Sequence, residues 1–124
     1  MRKLVALLLF VCLMNIVNAQ STEVERIIKT LEKHLVGKPF LGGIYDLPCN
    51  GVEKISIAEN GEISFTGAEK GCNVTLFIKD ASITLDGSTV KIYQTSPRIN
   101  KTFYTEGSEA VFKALNDFKK FLNQ

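Results

Sequence analysis

Between residues 52 and 95, apolar and polar side chains alternate in segment after segment with the period of two that an extended strand imposes. Ile55 and Ile57 share a face in one segment, Ile63 and Phe65 in the next, then Val74, Leu76 and Ile78, then Ile83 and Leu85, then Val90 and Ile92. Each segment therefore offers one face to a core and one to water. Turn signals separate them: Asn60-Gly61, the polar loop from Ala68 to Cys72 with Gly67 and Gly71, Asp86-Gly87, and Ser96-Pro97. Asn60-Gly61 is the pattern of a two-residue hairpin, in which both positions need positive φ. The connections are too short for crossovers, so the strands are expected to run antiparallel as a meander. Phe40 to Leu47 is a first strand, loosened by Gly42-Gly43, and Lys101 to Thr105 is a weaker last one containing Phe103 and Tyr104.

Helical periodicity flanks this region. Val24, Ile27, Ile28, Leu31 and Leu35 recur at three- and four-residue spacing and predict a helix over 22–36. Thr22 and Glu25 have capping-box spacing, and Gly37 and Pro39 stop the helix. Val111, Ala114, Leu115, Phe118, Phe121 and Leu122 predict a second over 108–122. The expected fold is α+β: an N-terminal helix, a six- to seven-stranded antiparallel meander, and a C-terminal helix, with both helices on the buried face.

Residues 1–19 read as a removable leader. Arg2 and Lys3 open it, an apolar run extends from Leu4 to Met14, and Val17 and Ala19 put small residues before Gln20. The run stops at Asn15, short of the roughly 20 apolar residues that span a bilayer. Residues 20–124 then form a single domain. Of 15 basic residues the leader takes two, leaving 13 against 13 acidic ones, a net charge of zero. Such a balance gives no electrostatic reason to bind nucleic acid, and no membrane insertion is expected once the leader is gone. Cys12 leaves with the leader. Cys49 and Cys72 remain, and two cysteines in an exported small domain read as one disulfide, worth about 3 kcal/mol for a loop of this length. The expected location is the periplasm or the outside of the cell.

Several chemistries lack their residues. His34 is the single histidine, at the edge of the first helix's apolar stripe, where contact with water or a carbonyl explains it better than catalysis. With the cysteines paired, no zinc site is expected, nor any other cofactor. Zincin, nucleophile-elbow and Walker A sequences do not occur. Glu59 and Glu62 flank a hairpin tip open to water, and Asp46 stands without an acidic partner. The chain is therefore not expected to be an enzyme. Asn73-Val74-Thr75 and Asn100-Lys101-Thr102 match the N-glycosylation pattern, which matters only in a eukaryotic source.

A strand run closed by a C-terminal amphipathic helix is similar to the order in pleckstrin-homology-like domains. Phe103-Tyr104 leading into Glu109 to Leu115 carries that resemblance. It implies a barrel with a C-terminal helix as the alternative architecture. It does not imply phosphoinositide binding, because the early strands hold no basic cluster, and the N-terminal helix departs from the pattern.

The water-facing side of the strands is rich in hydroxyls, with Lys54, Lys79 and Lys91 among them. Phe77 and Tyr93 are the exceptions, joined by Tyr45. Aromatic rings on such a face can stack on a sugar or anchor a protein; burial under a loop or cross-strand pairing is the plainer account of them. The functional expectation is an exported, non-catalytic binding module, such as an inhibitor or a glycan- or protein-binding domain, acting through Tyr45, Phe77 and Tyr93. The alternatives are a carrier of small apolar ligands or lipids with a cavity between sheet and helices, and a small hydrolase using carboxylates.

Overall fold

The computed structural model describes residues 22–42, 47–58 and 60–123. The leader, Tyr45, Asp46 and Glu59 lie outside the described residues. The order of elements is α1 (22–35), β1 (Phe40–Gly42), β2 (Leu47–Cys49), β3 (Val52–Ile57), β4 (Glu62–Gly67), β5 (Asn73–Phe77), a single 3₁₀ turn (Ile78–Asp80), β6 (Ala81–Asp86), β7 (Thr89–Thr95), β8 (Arg98–Tyr104) and α2 (Ser108–Leu122). The α+β class holds: two helices flank antiparallel strands. A strand run closed by a C-terminal amphipathic helix is present, preceded by α1.

The strands divide between two sheets. One has five strands in the order β2-β1-β8-β7-β6, and the other has three in the order β3-β4-β5. The chain enters the smaller sheet between Cys49 and Val52 and returns to the larger at Ile78–Asp80, where the sequence pattern carries the strand on to Lys79. Ile78 stays buried, so the turn keeps the core parity while redirecting the chain from one sheet to the other. The expected first strand is a hairpin instead, with Phe40 opposite Cys49 and Gly42 opposite Leu47. The last strand starts earlier than its apolar content suggests, because Arg98 continues the ladder from Thr95.

Side-chain parity survives this rearrangement. Ile55, Ile63, Leu76 and Ile92 belong to one buried cluster with Ile27, Leu31 and Leu35 of α1 and Val111, Leu115 and Phe118 of α2. In β3 the phase slips: Val52 and Ile55 are both buried although three residues apart, and a bulge between Val52 and Lys54 absorbs the extra residue. The ring of Phe103 packs at 5.5 Å from Phe40 and 4.6 Å from Phe65, joining the two sheets through the interior. The Asn60-Gly61 tip is one residue longer than a two-residue hairpin. Ala58 N–H bonds the Glu62 carbonyl at 2.8 Å, and Asn60 Oδ1 accepts from Glu62 N–H at 3.0 Å, so the asparagine caps the loop.

A disulfide and several polar side chains tie the parts together. The Cys49–Cys72 disulfide, with Cα atoms 6.0 Å apart, connects β2 of the larger sheet to the residue before β5 of the smaller. Gln94 points inward from β7, fully buried; its Oε1 accepts from Phe77 N–H at 2.8 Å and its Nε2 donates to the Ser96 and Pro97 carbonyls. At the helices, Thr105 Oγ1 donates to the His34 carbonyl at 2.6 Å and accepts from Gly107 N–H at 3.1 Å, while Ser108 Oγ donates to the Gly87 carbonyl at 2.7 Å. Arg26 of α1 reaches both Glu23 and Asp117, bridging α1 to α2.

Candidate functional site

Parity along β7 and β8 builds the outer face of the five-stranded sheet. Val90, Ile92 and Gln94 turn inward, so Thr89, Lys91, Tyr93 and Thr95 turn outward. The register places Tyr104 opposite Thr89, Thr102 opposite Lys91, Asn100 opposite Tyr93 and Arg98 opposite Thr95. From β6, Ser82 lies opposite Tyr93 and Thr84 opposite Lys91. On the β1 side, the half-buried Leu41 lies opposite Thr102.

Tyr93 thus stands near the middle of a polar field. A hydroxyl (Ser82) and an amide (Asn100) face it across the two ladders, within the roughly 5 Å of directly opposed residues. Lys91 and Arg98 flank it, one along its own strand and one diagonally on β8. Tyr93 is 37 % exposed and Tyr104 is 38 % exposed. The acid of the field is Asp86, whose carboxylate lies 3.9 Å from the Lys91 ammonium in an exposed pair.

Phe77, 38 % exposed, belongs to the three-stranded sheet, where it lies opposite Glu62. The structure therefore does not put Phe77 and Tyr93 on one sheet face, although the Phe77 backbone and the Gln94 side chain meet at the seam. The single wet face read from the sequence becomes two. The smaller sheet carries hydroxyls that satisfy one another, with Ser64 Oγ and Thr75 Oγ1 3.1 Å apart.

Two residues of interest escape a reading by composition alone. Tyr104 joins Tyr93 on the larger face, and its parity with Asn100 and Thr102 carries that signal. Lys101 goes the other way: it lies opposite Ile92 on the core side of β8 and is only 7 % exposed. Its phase with Ile99 and Phe103 marks it as inward. His34 packs its ring against Gly107, a structural contact that accounts for its position at the stripe's edge.

Among the described residues, no group of three or more His, Cys, Asp or Glu side chains is placed to hold a metal ion. A depression of about 500 Å³ on α2 is lined by Asn116, Lys119, Lys120 and Asn123. Lys119 is already committed there, donating to the Ala81 carbonyl at 2.6 Å. No helix among the described residues is long and apolar enough to cross a membrane.

No family model and no curated protein matches the chain. Among solved structures, the inner membrane complex sub-compartment protein 3 of Toxoplasma gondii is similar in fold. It is 13 % identical with a TM-score of 0.52, covering 83 % of this chain and 87 % of that one. At that identity the likeness concerns the fold alone.

Proposed function

We propose that the protein is an exported, non-catalytic binding module whose ligand docks on the outer face of the five-stranded sheet. The supporting observation is the pair of outward tyrosines, Tyr93 and Tyr104, set on one face among hydroxyl, amide and cationic side chains that the fold does not use for its own packing. Burying a ring beside satisfiable polar groups is how small sites combine affinity with orientation. Export is supported by the leader-like residues 1–19 and by the disulfide, which persists in oxidising compartments.

The test is recovery of bound material from the native extracellular or periplasmic fraction on immobilised protein, run in parallel with Tyr93→Ala and Phe77→Ala. Capture that is lost with Tyr93→Ala and kept with Phe77→Ala supports the larger face. Capture unchanged by Tyr93→Ala sinks the assignment.

A further inference from the structure

The charge and hydrogen-bonding chemistry around Tyr93 also points to a ligand class. Resting on the face assignment above, we propose that the ligand is an acidic polysaccharide, a glycan chain bearing carboxylates. The face lacks the contiguous apolar centre of a protein interface; its larger apolar groups are two separated tyrosine rings and, toward the β2 edge, the half-buried Leu41 with the exposed Pro48 opposite it. What surrounds the rings instead is a lattice of short polar groups, Ser82, Thr84, Thr95, Asn100 and Thr102. Hydroxyls and amides that donate and accept suit the many hydroxyls of a sugar, while a tyrosine ring suits the apolar face of a pyranose.

Charge supplies the second half. The mature chain is balanced overall, but this field is not. Lys91 and Arg98 flank Tyr93, both exposed, and the field's one acid, Asp86, lies four ladder positions from Tyr93 and is paired with Lys91. A carboxylate on a sugar stacked over Tyr93 would lie between an ammonium and a guanidinium, and the guanidinium offers a two-pronged match to it. Length follows from register. Tyr104 lies four residues beyond Asn100 on β8, so the two ring positions are offset by about 14 Å along the strands. That offset fits an extended chain of several sugars, and a single monosaccharide would not reach both rings.

The experiment is affinity electrophoresis of the disulfide-intact mature chain through gels containing polygalacturonate or the neutral polymer dextran. Polygalacturonate is expected to retard the protein and dextran is not. Tyr93→Ala should weaken the interaction roughly tenfold. Arg98→Gln and Lys91→Gln should each weaken it roughly threefold, and added salt should weaken it further. Phe77→Ala, on the other sheet, should leave it unchanged. All four positions are exposed, and circular dichroism confirms that each variant is folded. Equal retardation by dextran, lost in Tyr93→Ala, overturns the acidic class while the face assignment survives. Retardation by polygalacturonate that Tyr93→Ala does not alter overturns both. No retardation by either polymer, with a protein captured through Tyr93 in the preceding experiment, overturns the glycan and leaves the face.

Discussion

Replacing Gly107 by alanine tests the junction that seats α2 on the rest of the molecule. Gly107 has φ −87° and ψ 30°, a conformation open to any L-residue, so backbone strain plays no part. Space decides the outcome. A Cβ there would come within 2.6 Å of His34 Cγ and 2.8 Å of His34 Cε1, distances that force the ring to move. The His34 main chain cannot follow freely, since its carbonyl is held by Thr105 Oγ1 at 2.6 Å. Overpacking of this kind costs about 1–3 kcal/mol. In a His34→Ala background the obstacle is gone. The same glycine-to-alanine change should then be near neutral, because restriction of the unfolded chain, about 0.4–1 kcal/mol, is set against the loss of glycine at the N-cap of α2. Urea unfolding of the four proteins gives the coupling by linear extrapolation. A coupling of at least about 1 kcal/mol is expected. Equal effects in the two backgrounds, to within about 0.5 kcal/mol, would show that the ring does not occupy this place.

Three further outcomes follow from the same contacts. Reducing Cys49–Cys72 in denaturant and refolding should lower stability by about 3 kcal/mol, read as a shifted urea midpoint; a loss under about 1 kcal/mol would mean that the tether between the sheets adds little. Gln94→Leu removes the acceptor for the partly buried Phe77 N–H and should cost about 1–3 kcal/mol, with faster exchange of that amide; unchanged exchange would contradict the seam. The Arg26 guanidinium hydrogen-bonded to Glu23 holds that carboxyl below its usual value of 4.5, so the pair favours the folded state at neutral pH and this contribution fades as pH falls through the lowered value. Melting temperatures of the wild type and Arg26→Gln should therefore converge below pH 4.5 and separate above it, by a small margin because the pair is exposed; a constant gap across that range would argue against the pairing.

Local chemistry made much of the fold legible. Period-two alternation told which residues of β4 to β7 go inward, helical spacing fixed α2 at 108–122, and a count of cysteines gave the disulfide. These features depend on dihedral preferences and on neighbours a few residues away, so a linear reading captures them. The candidate site was half legible. Tyr93 could be placed outward by parity, and Tyr104 carried the same signal in a strand whose weak apolar content hid its true start at Arg98.

Only the tertiary structure decided which strands share a sheet. The chain leaves β5 through one 3₁₀ turn at Ile78–Asp80 without losing its inward phase, so alternation alone runs straight across the seam. That turn separates Phe77 from Tyr93, and β1 pairs with β8 across more than half the chain. Partner choice of this kind is settled by burying both sheets' apolar faces together around Phe65 and Phe103, contacts between residues far apart in sequence. The inward direction of Lys101 and the seating of His34 on Gly107 follow from the same packing: parity sets where each side chain points, and the assembled core decides what it meets.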